Sequence, residues 1–441
     1  MSLLLNLLGP RRGFEGGLFM PEFKAATARR PIENITADRA LFVPLRLAES
    51  WQTDIVVSQG ERVVRGQRLA TACDGRSAHV HAPTSGTIAQ FGRVWTPREG
   101  YLPCAILEPD GRNESVPRSL AWMSDSFVGQ LTDRGVISPS PLAPAAEVLR
   151  RASAAGVTEL IVSAMETEPY LTADLRTLVE QPGRLIDMTC EIADALGVAR
   201  ALFAMPYRHR RVVKRVTAEA QGRYVEVAAL SNRYPQCHPV MLVKTLLDRE
   251  VPPGGSPLDV GAVVIPLAMV RMAAEAIIDD IPVTHATITV AGDAVEHAGT
   301  YRVPVGTPLR ALCDRVGLLG PVGQCVWGGP LTGISITRDD AVITADTSAI
   351  LLFSEFEARE PVPCIHCGWC IEDCPVGVDP ALLAQLESES STDALTVAHL
   401  RACIDCGLCS HVCPASLPLS ATIQRSRRRL VPGASAAEGG A

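Results

Sequence analysis

The sequence predicts a multidomain α/β protein: a small β barrel-sandwich, a Rossmann-like α/β domain, a β-grasp module and a C-terminal all-α domain. Three observations predict it. The chain has 441 residues, beyond the roughly 250–300 at which a single hydrophobic core stops growing. The period of its apolar residues changes from strand-like to mixed, back to strand-like and finally to helical along the chain. A cysteine run, "CIHCGWCIEDCP" at 364–375, returns 39 positions later as "CIDCGLCSHVCP" at 403–414, so the last domain is built on a duplication.

The first unit is placed at 1–125. Between about 40 and 110, short runs such as "TDIVVSQGERVVRGQRLA" alternate apolar and polar and are broken by Gly, Pro and Asp, as in a small barrel or sandwich. "GERVVRGQ" followed by "APTSGTI" resembles the strand pairs of a lipoyl-type barrel. There is no turn lysine to carry a prosthetic arm.

The second unit spans 126–283. "PAAEVLRRASAAG" reads as helix and "VTELIVSAM" as buried strand. "LIDMTCEIADALG" is helical again, followed by the strands "ARALFAMP" and "RYVEVAAL" and the helix "HPVMLVKTLLD". Alternation of this kind builds a mostly parallel sheet. The third unit, 284–355, returns to short strands ("HATITVAGDA", "GTYRVPVGT", "AVITAD") around the helix "PLRALCDRVG". The fourth, 356–430, holds the cysteine runs and two capped helices, "DPALLAQLES", opened by Asp and Pro, and "STDALTVAHLRA". Residues 431–441 form a small-residue tail read as disordered.

Each cysteine run has the spacing C-x2-C-x2-C-x3-C-P. Three cysteines at that interval let one loop wrap a [4Fe-4S] cubane, and the fourth ligates the cluster of the other run. This assigns Cys364, Cys367, Cys370 and Cys413 to one cluster and Cys374, Cys403, Cys406 and Cys409 to a second. The alternative is a pair of four-cysteine zinc sites, which ordinarily draw their cysteines in pairs. Trp369 and Ile365 are expected to shield the first cluster from water, and Glu372 and Asp373 to lower its potential. The six other cysteines are scattered, as buried thiols of a reducing compartment are.

A net charge of −7 gives no reason to expect nucleic acid. No apolar run reaches the roughly 18 residues needed to span a bilayer. The opening "MSLLLNLLGPRRG" lacks the basic segment and cleavage site of an export signal. The basic stretches 208–215 and 425–429 are candidate docking sites for an acidic ferredoxin or anionic lipid. His79 and His81 share one strand face but lack further metal ligands nearby in sequence.

Over about residues 14–425 the chain resembles the RnfC family, which belongs to the Rnf complex, the ion-translocating electron transport complex of bacteria. The resemblance rests on "FEGGLFMPEFK", "HAPTSGTI", "ETEPYLTADLR", "VPPGGSPLDVG", "GTPLRAL", "WGGPLTG" and both cysteine runs, in that order. It implies a relative of the complex I flavin subunit, with an SLBB-type β-grasp module, joined to a two-cluster ferredoxin domain. It also implies a peripheral position at the cytoplasmic face of the membrane, membrane and soluble partner subunits, and electron exchange with NADH through FMN.

The family's Gly-rich flavin loop, G-x-G-G-A-G-F-P, is replaced here by "GVISPSPLAPAAE" at 135–147, and its "YP-x-G-G-x-K" segment by "YPQCHPVM" at 234–241. Prolines remove the N–H groups that would cradle a phosphate. Glu166, Glu168, Tyr170 and Asp174 do match the family and are the candidate ribose or ring contacts. The expectation is an electron-transfer subunit with two [4Fe-4S] clusters, FMN and NADH being disfavoured, and not an NADH dehydrogenase on its own. The alternative is an FMN-dependent NADH dehydrogenase or a cobalamin-reductase-like flavoprotein.

Overall fold

In a computed structural model, residues 13–117, 126–356, 359–386 and 393–431 are described. The leucine-rich opening (1–12) and nearly all of the C-terminal tail lie outside them. Alternating residues in 41–109 fold into two antiparallel sheets. One orders its strands as Leu41–Pro44, Gly100–Pro109, Gly86–Thr96 and Arg62–Val63; the other as Thr53–Ile55, Arg68–Ala72 and Val80–His81. Val43, Val63, Leu69, Ile88 and Leu107 point inward and are fully buried.

The residues before this barrel belong to other layers. Leu18–Phe19 pairs antiparallel with Arg233–Tyr234, and Ile32–Asn34 pairs parallel with Gly299–Pro304. The N-terminal segment is thus a strap across the molecule. Gly16 and Gly17 let it pass: both have positive φ, and a Cβ would stand 2.7 Å from the Cys374 carbonyl oxygen at one and 2.4 Å from that of Tyr234 at the other. Gly17 N–H donates to Asp373 O at 2.9 Å.

Near-continuous apolar runs give a fully parallel, doubly covered sheet. Its strand order is Val225–Leu230, Arg200–Pro206, Glu159–Ser163, Ala262–Pro266. Helices expected from the pattern form at Ala145–Ala154, Pro182–Leu196 and Pro239–Leu247, the last only nine residues long because Asp248 takes a left-handed conformation at its end. The proline-rich stretch forms a hairpin, Ile137–Pro139 against Leu142–Pro144.

The next sheet has six strands, from the N-terminal Ile32–Asn34 through Gly299–Pro304, His285–Ala291, Ala349–Phe353 and Gln324–Trp327 to Ile334–Ile336. Helix Leu309–Val316 packs into the same core through Leu309, Leu312 and Val316. The strand expected at "AVITAD" is reduced to an isolated bridge between Pro308 and Val342. Thr344 bonds Asp346 and Thr347 through its hydroxyl, a local side-chain pattern that competes with a ladder.

The C-terminal domain is all helical, with helices Trp369–Glu372, Pro380–Gln385, Ala394–Ala402, Leu408–His411 and Leu419–Leu430. Asp379 and Asp393 cap two of them through backbone N–H groups. Its core is small: Val378, Leu383, Leu400, Ile423 and Val431. The duplication is visible in the backbone. Helices 369–372 and 408–411 correspond, as do the positive φ angles of His366 and Asp405 (54° and 55°), Gly368 and Gly407 (82° and 77°), and Gly377 and Ser416 (68° and 54°).

Candidate electron-transfer site

Each cysteine run bends around its own short helix, and the tails of the runs cross. One cavity, about 120 Å³, is lined by Cys364, Cys367, Cys370 and Cys413. A second, about 20 Å³, is lined by Cys374, Cys403, Cys406 and Cys409. The first is roomy for far more than one water or ion, whereas the second holds about one water in the form seen here. Among the described residues, no group of three or more His, Cys, Asp or Glu side chains is arranged to hold a single metal ion. The thiols ring a space; they do not converge on a point.

The two cavities differ in environment. Cys367 is exposed and Cys364 half-buried. Burial pushes the thiols of Cys406 and Cys409 up to about 12 and that of Cys403 further still. Such thiols stay protonated in an apolar site unless a metal displaces the proton; what fits a cluster is the donor set itself, four cysteines around each cavity at cubane-type spacing. Ile365 lines the first cavity but is 64% exposed, and Trp369 is 53% exposed and outside the lining. Ile365 covers the cavity only in part and Trp369 does not cover it, facing solvent instead.

The second run is anchored to the α/β domain. The buried hydroxyl of Tyr234 donates to Cys406 O at 2.6 Å, and Gly254 N–H donates to Arg401 O at 3.0 Å. Cys237 lies close enough to Cys406 to affect its thiol.

Glu166, Glu168, Tyr170 and Asp174 follow strand Glu159–Ser163, at the carboxyl edge where α/β sheets bind ligands. The structure gathers them around Lys24, which sequence reasoning missed. Lys24 is 5% exposed and its Nζ donates to Glu166 O at 2.6 Å. The Glu166 carboxylate accepts from Asp174 N at 3.1 Å and Leu175 N at 3.2 Å, capping helix Ala173–Glu180. Glu168 accepts from Leu331 N at 2.8 Å and from the Thr332 hydroxyl. Burial raises the pKa of both glutamates, and burial with the nearby Glu166 charge pushes Asp174 up to about 8. Tyr170 has φ +68° and stacks on Phe23, ring centroids 5.1 Å apart. The glutamates are thus committed to backbone groups of the protein itself.

The residues do not fit a flavin phosphate. At the start of helix Ala145–Ala154 the chain is the proline hairpin, the cap is Pro144 with no side-chain bond, and Glu147 puts a carboxylate in the first turn. An acidic side chain there occupies the positive end of the helix that a phosphate would use. His79 accepts from Ala72 N at 2.8 Å, and burial lowers its pKa to about 4 and that of His81 to about 3. These rings are packed between the barrel and Asp133, and no group of three or more candidate ligands that could hold a metal is found among the described residues.

Barrel-sandwich, flavin-subunit-type α/β domain and duplicated cysteine domain in one chain define a class of iron-sulfur electron-transfer proteins. Three family descriptions match in that order: RnfC Barrel sandwich hybrid domain over 12–112, Nuo51 FMN-binding domain over 143–270 and 4Fe-4S dicluster domain over 363–417. The second match begins at the end of the proline hairpin. Over 386 residues the chain is 29% identical to a subunit of the proton-translocating ferredoxin:NAD(+) oxidoreductase complex of Clostridium ljungdahlii, an overlap of 85% of this chain and 84% of that one. It is 30% identical to a subunit of the ion-translocating oxidoreductase complex of Yersinia enterocolitica, over 84% of this chain and 55% of that one. For the like-named Edwardsiella ictaluri protein the figures are 28% identity, 88% and 50%. The chain therefore spans about half the length of these enterobacterial relatives. Residues 12–112 match the RnfC barrel-sandwich domain, and over most of its length the chain is similar to these complex subunits. An NAD+-reducing [NiFe]-hydrogenase superimposes at a TM-score of 0.49 and 17% identity, over 69% of this chain and 63% of that one, too loosely to bear on function.

Proposed function

We propose that this chain relays single electrons as the iron-sulfur subunit of a membrane-associated Rnf-type oxidoreductase complex. One [4Fe-4S] cluster is held by Cys364, Cys367, Cys370 and Cys413, and the other by Cys374, Cys403, Cys406 and Cys409. The observation that carries the reading is the pair of cavities, each lined by three cysteines of one run and the last cysteine of the other. When bound, such clusters accept and release one electron at a time. The chain's part is to supply eight thiolates and to pin the second run to the α/β domain through Tyr234.

The reading includes partner subunits in the membrane and in solution, ferredoxin among the candidates, and a peripheral place at the cytoplasmic face. The names of the relatives, as subunits of ion-translocating complexes, support it. No helix among the described residues is long and apolar enough to cross a membrane. The carboxyl edge of the parallel sheet is a degenerate flavin and NADH site: Glu166, Glu168, Tyr170 and Asp174 persist there without a phosphate cradle. The working division is 1–125, 126–283, 284–355 and 356–430, with the third unit an SLBB-type β-grasp module, a reading supported by its single helix packed on a mixed sheet.

Iron, acid-labile sulfide and flavin analysis of the anaerobically purified full chain tests the proposal. About eight irons and eight sulfides per chain and no stoichiometric FMN are expected. Zinc in place of iron, or bound FMN with clusters bleached by NADH, overturns it. Cys374→Ser should abolish the second paramagnetic centre and spare the first; both signals surviving intact would refute the crossed ligation.

A further inference from the structure

Asp405 lines the second cavity and is paired with Arg427; the carboxylate lining the first, Asp379, instead caps helix Pro380–Gln385 through Leu382 N–H. Asp405 and His366 occupy equivalent places in the two runs, with the same left-handed backbone. His366 is exposed. The Asp405 side chain is 6% exposed, and its Oδ1 stands 3.7 Å from Cys403 Sγ. Arg427, on helix Leu419–Leu430 and 16% exposed, donates through Nη1 to Cys403 O at 2.9 Å and through Nη2 to the Asp405 carboxylate.

A thiol can donate to that carboxylate; a thiolate cannot. Once Cys403 is a metal ligand, two anions face each other in a buried place, and charges so placed need a compensating partner. Arg427 supplies it. It is bonded both to the carboxylate and to the backbone of the ligand residue, so it moves with neither alone. The reduction potential of an iron-sulfur centre depends on the net charge and hydrogen bonding around it.

We propose that Arg427 sets the potential of the second centre by neutralising Asp405 beside the Cys403 ligand, making these two residues a charge pair that tunes one cluster and not the other. The inference rests on the ligand set proposed above. Without the guanidinium, the carboxylate opposes an added electron and the centre becomes harder to reduce. Without the carboxylate, the guanidinium favours the added electron and the centre becomes easier to reduce.

The test is a potentiometric titration of the anaerobically purified full chain followed by electron paramagnetic resonance, the second centre being the signal lost in Cys403→Ser. At fixed ambient potential, Arg427→Gln should lower the reduced-to-oxidised ratio of the second centre about tenfold, equivalent to about 59 mV for a one-electron couple. Asp405→Asn should shift the ratio the opposite way, the double variant should return close to the parent value, and the first centre should stay put in all three. A purely structural tie would not give shifts of opposite sign. The proposal is overturned if Arg427→Gln keeps its iron and sulfide but leaves the second centre unmoved, if the two single variants shift it in the same direction, or if both centres move together. Should Arg427→Gln lose its clusters, Asp405→Asn and the charge-preserving Arg427→Lys decide: an easier reduction in the first and a parent-like ratio in the second uphold the proposal, and any other pair of results ends it. A parent chain without iron and sulfide would instead sink the ligand assignment itself.

Discussion

Tyr234→Phe isolates one bond between the cysteine domain and the α/β domain. The ring is 1% exposed, so phenylalanine keeps its packing. What goes is the hydroxyl that donates to Cys406 O at 2.6 Å, leaving a partly buried carbonyl without that donor. An unsatisfied buried acceptor costs about 1–3 kcal/mol. Gly17 to Asp373 and Gly254 to Arg401 still tether the domain, so the loss should appear as local opening of the second run and not as global unfolding. Amide hydrogen exchange by mass spectrometry reads this directly. Segment 403–411 should exchange roughly 5- to 150-fold faster, the kinetic equivalent of that energy when closing outpaces exchange, and the barrel segment 86–109 should not change. Equal protection of 403–411 in variant and parent would refute the idea that this hydroxyl holds the cysteine run in place.

Asp174 gives a pH prediction. Its folded pKa, about 8, lies above the ordinary carboxyl value near 4, so the folded state binds the extra proton between those limits and its contribution to stability falls as pH rises through them. Asp174→Asn should therefore gain in thermal midpoint over the parent progressively from pH 5 to 8; an advantage that shrinks with rising pH would contradict the sign. Gly17→Ala puts a Cβ 2.4 Å from Tyr234 O at φ +71°, whereas Gly156→Ala at φ +64° meets nothing within 4 Å. The first should cost about 2–5 kcal/mol and the second about 1–2, measured as unequal losses in thermal midpoint. Glu168→Ala removes the acceptor that Leu331 N and the Thr332 hydroxyl share and should cost about 1–3 kcal/mol, seen as faster exchange at 329–333; Glu168→Gln should recover part of it.

The cysteine runs were legible because ligand spacing is a local property of sequence, and the helices beside them announced themselves through Asp379 and Asp393 caps. The parallel sheet was legible for the same kind of reason, through apolar runs bounded by turns. Lys24, Tyr234 and Arg427 were not. Each acts on a residue of another element, Glu166, Cys406 and Asp405 respectively, and nothing in its own neighbourhood signals the partner; the basic stretch 425–429 that holds Arg427 read as a docking site. The strands at 18–19 and 32–34 were missed because each is two or three residues long and takes its order from a distant edge. Trp369 was misread because an aromatic beside a ligand suggests shelter, while its ring faces solvent.

The strap has a consequence for biosynthesis. Residue 17 leaves the ribosome early, yet its N–H partner, Asp373, arrives only when most of the polypeptide has been made. Until then Arg233–Tyr234 can recruit its edge partner from the strap, but the Gly17 N–H lacks its Asp373 acceptor. Closing contacts between distant parts of a chain is slow, and exposed edges during that wait invite aggregation. A nascent chain stalled before residue 373 would thus present the Gly16–Gly17 stretch to chaperones or proteases, coupling survival of the newborn protein to arrival of its metal-binding end.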